Sequence, residues 1–183
     1  MKFSSICIWA AFLFPVVLGC TPEQQTEAAS AHEQSALNET DRERIRAMIQ
    51  DLQLTAGVPQ RTFELLRKEV TALSTGKSEA VTLAALVDLA KTQILAAGAD
   101  LSAKTLPEGL PVGIKRDLEQ AKEAMIKAGQ LKSESLDAVQ RFMEEKKPMI
   151  LLEYRSKLSA SAKQLEEARV MLKQVRDAAG ITP

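Results

Sequence analysis

The side chains in this sequence that could do chemistry are few, and their spacing fits no catalytic motif. The chain has one histidine, His32, and two cysteines, Cys7 and Cys20. A Ser-His-Asp triad and a Glu-x-x-His metal motif both need histidine, and no Walker loop, G-x-S-x-G or Rossmann fingerprint occurs. The adjacent glutamates at 144–145 and 166–167 would point about 100° apart on a helix, so neither pair shares one proton-transfer geometry. We therefore expect no enzyme activity, no cofactor and no metal site.

Cys20 lies at the end of an apolar N-terminal segment. Lys2 gives the segment a positive start, residues 6–18 are apolar, and a glycine precedes the cysteine. The run is shorter than the ~20 residues of a spanning helix and contains Pro15, which favours a cleaved secretory signal over a membrane span. The sequence Val17-Leu18-Gly19-Cys20 resembles the lipobox of bacterial lipoproteins, a class that prefers leucine where this chain has Val17.

The resemblance to a lipoprotein signal covers residues 1–20 and implies that Cys20 is lipidated. In that class the cysteine sulfur receives a diacylglyceryl group, the chain is cut before the cysteine, and the new amino terminus is acylated. Two or three acyl chains hold a protein stably on a bilayer, so the resemblance implies a membrane anchor in the bacterial cell envelope. Thr21 stands where an aspartate retains enterobacterial members at the inner membrane. For a source with two membranes, this implies the outer membrane, facing the periplasm. The alternative is a plain secretory signal whose cysteine falls at the boundary.

The composition without the signal excludes two further classes of protein. Removing residues 1–19 leaves 23 basic and 24 acidic residues, a formal charge of −1, with no basic block, so we expect no nucleic-acid partner. Only Phe63, Phe142 and Tyr154 remain as aromatic residues, so the core must be aliphatic. With Cys20 acylated, no thiol is left for a disulfide, and packing must hold the domain together.

The chain divides into three predicted parts. Residues 1–19 are the lipoprotein signal peptide, 20–39 are the acylated cysteine with an acidic flexible tether, and 40–183 are a single helical-bundle domain. The tether contains glutamates, no lysine or arginine, and few apolar residues, which is typical of a solvated spacer. Alternatively, its second half extends the first helix, as its propensities allow.

Apolar residues spaced by three and four predict an all-α bundle of about five helices with a long C-terminal helical hairpin. The predicted helices cover roughly residues 40–57, 60–73, 78–98, 114–146 and 149–179. Thr40 and Glu43 have the spacing of a capping box, and Gly57-Val58-Pro59 predicts a stop. The third helix is apolar over a wide arc and is expected at the centre of the core. We expect a kink or short break in the fourth helix near Gly129, and a turn rather than a kink at Pro148.

The last predicted helix has the most regular stripe in the chain. Its residues repeat at the a/d spacing of a coiled-coil seam. They are Leu151, Leu158, Leu165, Leu172 and Ala179, with Tyr154, Ser161, Ala168 and Val175 three positions later. We favour packing against the preceding helix within one chain, and self-association is the alternative. Glu153 and Lys157 are expected to form an exposed pair along this helix.

Residues 98–113 are rich in glycine and proline and predict a long loop. Its leucines favour a strap that lies over a helix face, and the alternative is a partner-binding loop. Two functions remain open. The first is a membrane-anchored, monomeric, non-catalytic interaction or scaffold module that contacts another envelope or surface protein. The second is a bundle that binds a small apolar or lipid-like ligand, for which a pocket of ~300 Å³ or more is expected.

Overall fold

Helices make up nearly all of the chain that the structure describes. The computed structural model describes residues 37–75 and 80–181. Its helices are α1 (Glu39–Gly57), α2 (Gln60–Ser74), α3 (Ala80–Ala103), α4 (Val112–Glu145) and α5 (Pro148–Ala178). No strand occurs within these ranges, and the prediction of an all-α bundle with a long C-terminal helical region is confirmed. The signal peptide, Cys20, His32 and the tether through residue 36 lie outside the described residues.

Helix α1 begins before the predicted cap. Asn38 has extended backbone, and its side-chain oxygen accepts a hydrogen bond from the backbone N–H of Asp41 at 2.8 Å. The capping box predicted at Thr40 and Glu43 is therefore wrong, because asparagine caps a helix at least as well as threonine. Leu37, just before the cap, is buried in the core, so packing begins inside the segment that we assigned to the tether.

The break between α1 and α2 lies where Gly57-Val58-Pro59 predicted it. Val58 and Pro59 separate the two helices, and both residues keep helical backbone angles. The N–H of Phe63 donates to the carbonyl of Pro59 at 3.0 Å, so helical hydrogen bonding resumes at once. Proline has no N–H to donate to the preceding turn, so the helical hydrogen bonding is interrupted at Pro59.

Helix α3 continues through Gly98 and ends at Ala103. The predicted loop over 98–113 was therefore too long, since only residues 104–111 connect α3 to α4. A glycine inside a helix costs only about 1 kcal/mol relative to alanine, which tertiary packing readily exceeds. Within the connection Leu110 is buried and Leu106 packs on the same cluster, as the strap interpretation requires.

Helix α4, rather than α3, is central to the bundle. It contacts α1, α3 and α5 and has twelve buried residues, whereas α3 has six. The predicted central role of α3 is wrong because Val81, Leu89 and Leu95 on its outer side remain exposed. By length and composition alone α3 could cross a bilayer, with a mean hydropathy of 1.5 in its most apolar window. Core helices of bundles meet the same criterion.

The break predicted near Gly129 does not interrupt α4, which is one helix from Val112 to Glu145. Two neighbours support this stretch. The side chain of Ile94 on α3 approaches Gly129, where an added Cβ would lie 3.7 Å from its Cγ2. The hydroxyl of Ser161 on α5 donates to the carbonyl of Ala128 at 2.9 Å.

A tight turn joins α4 to α5, as predicted for Pro148. Lys146 caps α4 in the left-handed conformation, with φ 55°, and its N–H donates to the carbonyl of Phe142. Pro148 is then the first residue of α5, a position where its missing N–H costs no hydrogen bond.

The last two helices form an antiparallel hairpin within one chain. Two ion pairs cross it, from Arg141 to Glu153 at 2.6 Å and from Lys157 to Glu134. These partners replace the pair predicted between Glu153 and Lys157, because each side chain finds an opposite charge on the facing helix instead. The hairpin prediction is confirmed.

The buried residues form two clusters along the hairpin. The first joins α1 to the beginning of α4 and the end of α5. The second joins α2 and most of α3 to the end of α4 and the beginning of α5. The largest fully buried side chains include Ile45, Ile49, Leu52, Leu118 and Leu172 in the first cluster, and Leu66, Leu83, Val87, Leu136 and Val139 in the second.

Candidate functional site

A groove of about 1000 Å³ runs between α2 and α5. Residues of α4 form its floor, and the break between α1 and α2 borders one end. The groove exists because α2 packs mainly on α3 and makes few contacts with α5. Its volume is at the upper end of the range of about 300–1,000 Å³ that is typical of ligand sites. We call it the α2–α5 groove.

The apolar lining of the α2–α5 groove comes largely from one half of the heptad stripe. Leu151, Leu158 and Leu165 line the groove and are only partly buried. Three positions after the first two of these, Tyr154 and Ser161 are buried. The leucines of the stripe are therefore more open to the groove than Tyr154 and Ser161, which line it as well. Phe63, Val70 and Met125 add apolar surface from α2 and α4.

The charged residues that line the groove are mostly cations. Among the residues that the structure describes, they are Arg67 on α2, Lys132 on α4, and Arg155 and Arg169 on α5, against the single carboxylate of Glu64. Arg169 pairs with Glu166 at 3.4 Å, whereas the other three cations have no ion-pair partner among the described residues. The electrostatic potential in the groove is therefore positive, which favours an anionic ligand.

Lys132 is the most buried of these cations. Its Nζ lies 5.5 Å from the centroid of the Phe63 ring, a cation–π contact that partly replaces lost water. Burial lowers the pKa of Lys132 from its usual value of 10.5. The ammonium group is thus incompletely solvated and would be stabilised by an anion in the groove.

Tyr154 lines the groove and carries an unpaired, buried hydroxyl. The residue is 5% exposed, and its hydroxyl oxygen is buried without a hydrogen-bond partner among the described residues. Burial raises the pKa of Tyr154, and the positive charges of Arg67 and Arg155 act in the opposite direction. The hydroxyl stays protonated at neutral pH and can donate a hydrogen bond to a ligand.

None of the four glutamates in the pairs that we considered for catalysis lines the groove, and all four positions are exposed or partly exposed. Glu145 accepts a hydrogen bond from Lys147 at 2.8 Å, which lowers the pKa of this carboxyl. Glu167 accepts one from Gln164 at 2.7 Å, and Glu166 holds Arg169. Within the described ranges, no group of three histidine, cysteine or acidic side chains is placed to hold a metal ion. Cys20, the predicted lipidation site, lies outside those ranges.

The sequence did not predict the α2–α5 groove. Its lining residues come from four helices, and their proximity depends on how α2 leaves the break at Pro59. The one signal in the sequence is Tyr154, the only aromatic residue of the heptad stripe.

Comparison of the chain with protein-family models, with curated proteins and with solved structures gives no significant match.

Proposed function

We propose that the protein is a membrane-anchored, non-catalytic binding module of the bacterial cell envelope that holds a small lipid-like ligand in the α2–α5 groove. The observation that carries this proposal is the partial exposure of Leu151, Leu158 and Leu165 along one groove of about 1000 Å³. Covering exposed apolar side chains in a concave site with an apolar ligand lowers the free energy.

The anchor in this proposal is the acylated Cys20. It is supported by the lipobox-type sequence that ends at Gly19-Cys20. Attachment to a membrane would place the domain close to a supply of acyl chains, which fits a lipid-like ligand. For a source with two membranes, we propose the periplasmic face of the outer membrane.

A second candidate function is docking on another envelope protein, as an interaction or scaffold module. The outer side of α3 supports it, because Val81, Leu89 and Leu95 are 79%, 48% and 67% exposed. Rows of exposed large apolar residues are typical of interaction surfaces. The groove is the better supported site, because it combines apolar surface with concavity and unpaired polar groups.

A blocking substitution tests the ligand-binding function. Ala162 lines the groove, whereas Ala160 is exposed on the same helix outside the lining. The probe is Nile red, an uncharged apolar dye, added to the chain from residue 20 with Cys20→Ser. We expect saturable binding with a blue shift of emission. Ala162→Phe should weaken it at least about tenfold by filling the groove, and Ala160→Phe should leave it unchanged.

Two results would contradict the ligand-binding function. One is the absence of saturable dye binding by the folded protein. The other is equal binding by the two phenylalanine variants, which would place the dye elsewhere. Crosslinking in native membranes that joins residues of the outer side of α3 to one partner protein would support docking instead.

A further inference from the structure

The hydroxyl of Tyr154 differs from the other buried hydroxyl of the same stripe. Ser161 is fully buried, and its hydroxyl donates to the carbonyl of Ala128 at 2.9 Å. Tyr154 is 5% exposed, lines the groove, and its hydroxyl has no partner among the described residues. A buried hydroxyl without a hydrogen bond destabilises the folded protein, and a ligand oxygen that accepts from it would remove that cost.

Two guanidinium groups stand on opposite walls of the groove near this hydroxyl. Arg67 projects from α2 and Arg155 from α5, and the charges of both act on the phenol of Tyr154. Neither arginine has a carboxylate partner in the part of the chain that the structure describes. Arginines bind carboxylate and phosphate oxygens through paired hydrogen bonds, so two of them beside a hydroxyl donor form a receptor for one anionic group.

A third cation lies next along the groove. Lys132 approaches the ring of Phe63, which is one helical turn before Arg67 on α2. Its partial burial without a counter-ion strengthens its attraction to an anion, because the local dielectric constant is lower than that of water. Glu64 is the only acidic residue among the described residues that line the groove, and cations outnumber it there.

Apolar side chains of α5 line the groove on both sides of Tyr154, with Leu151 one helical turn before it. After Tyr154, α5 presents Leu158, Ala162 and Leu165 up to Arg169, and α4 contributes Met125. Tyr154 and Leu165 are eleven positions apart in the sequence, which corresponds to about 16 Å along a helix. One acyl chain of a bilayer leaflet covers half of a ~30 Å hydrocarbon core, so the apolar stretch matches the length of one chain.

We propose that the α2–α5 groove binds a single acyl chain with an anionic head group, held by Arg67, Arg155 and the hydroxyl of Tyr154. The proposal rests on the ligand-binding function proposed above and specifies its ligand class. Carboxylate and phosphate head groups share the recognised feature, an anionic oxygen at the end of an apolar chain. Fatty acids and lysophospholipids are the two sources of such a ligand.

Calorimetric titration with chosen amphiphiles tests the head-group preference. The protein is the chain from residue 20 with Cys20→Ser, and the probes are palmitate, monohexadecyl phosphate, hexadecanol and inorganic phosphate, each below its aggregation concentration. We expect one site that binds at least one of the two anionic amphiphiles at least about tenfold tighter than hexadecanol, and inorganic phosphate far more weakly. The tighter of the two anionic probes identifies the head group.

A double substitution and its matched control test the residues. Arg67→Gln with Arg155→Gln should bring the anionic amphiphile to within about threefold of hexadecanol, because the charge-assisted hydrogen bonds are lost. Arg61→Gln with Lys173→Gln removes the same charge from exposed positions of the same two helices outside the lining. This control should keep the full preference.

Tyr154→Phe separates a binding role from a structural one. The variant keeps the ring and removes only the unpaired hydroxyl. We expect it to raise the melting temperature of the ligand-free protein and to weaken binding of the anionic amphiphile about three- to tenfold. A hydroxyl that served packing or folding would instead lower the melting temperature when removed.

The outcomes distinguish this proposal from the more general one. Equal affinity for hexadecanol and both anionic amphiphiles would overturn the anionic head group and leave a lipid-binding groove. Inorganic phosphate binding as tightly as the amphiphiles would overturn the acyl chain. A preference that survives the Arg67 and Arg155 double variant would overturn the assignment of those residues. Failure of all four probes and of Nile red would overturn both proposals together.

Discussion

Replacing Leu172 by alanine should destabilise the protein much more than replacing Leu165, although the two leucines occupy equivalent positions of one heptad stripe. Leu172 is 1% exposed in the first cluster, whereas Leu165 is partly buried and lines the α2–α5 groove. Truncating a fully buried leucine loses apolar burial and leaves a closed cavity, at about 2–5 kcal/mol. At Leu165 the groove is already open, so only part of the burial is lost, about 1 kcal/mol.

These free energies translate into melting temperatures. With an unfolding entropy of about 2.1 cal/mol/K per residue, a domain of about 140 residues should melt roughly 7–17 °C lower for Leu172→Ala and ~3 °C lower for Leu165→Ala. Thermal melts followed by circular dichroism on the chain from residue 20 with Cys20→Ser would measure both. Repeating them at several protein concentrations checks that the stripe packs within one chain, since a dimer would melt higher at higher concentration. Equal losses for the two variants would refute the reasoning, because they would place Leu165 in a closed core.

Three further predictions concern the anchor, the first helix and Lys132. Cys20→Ser should abolish metabolic palmitate labelling and move the protein into the aqueous phase of a detergent separation; persistent labelling would contradict lipidation at Cys20. Asn38→Ala should lower the free energy of unfolding by about 1 kcal/mol through loss of the cap, whereas Thr40→Ala, at the predicted cap that α1 does not use, should change it by less than about 0.5 kcal/mol. Lys132→Met should raise the free energy of unfolding by about 1 kcal/mol or less at pH 7, because it removes a partly buried cation that has no counter-ion. Folding lowers the pKa of Lys132, so the free energy of unfolding of the wild type rises as the pH increases from that pKa towards 10.5. The difference in stability between Lys132→Met and the wild type should therefore shrink over this pH range. Denaturant titrations at several pH values would measure it.

The sequence predicted the helices better than their ends. Apolar spacing identified all five helical stretches of the described residues, because burial of one face dominates helix formation. It misplaced the ends at Asn38 and Gly98, where the choice between neighbouring caps, or between a helical and a terminating glycine, is worth only about 1 kcal/mol. Tertiary contacts of Leu37 and Leu101 with the first cluster decide both positions.

The sequence could not predict the groove for a different reason. The heptad stripe correctly indicated that Tyr154, Ser161 and Ala168 are buried. It predicted the same burial for Leu158 and Leu165, which are only partly buried. Periodicity indicates which side of a helix is apolar, but not whether a third helix covers that side. That depends on the direction in which α2 leaves Pro59, and no local pattern encodes this direction.

The one-sided packing of α2 has a consequence for hydrogen exchange. Helix α2 rests mainly on α3, borders the groove along its other side, and has no side-chain cap at its N-terminal end. A helix with few stabilising neighbours opens in local fluctuations that leave the remaining domain folded, so its amide protons should exchange faster than those of α4. A ligand that bridges α2 and α5 would suppress this opening. Slower exchange confined to the amides of α2 would then report occupancy of the groove, even for a ligand that changes no average coordinate.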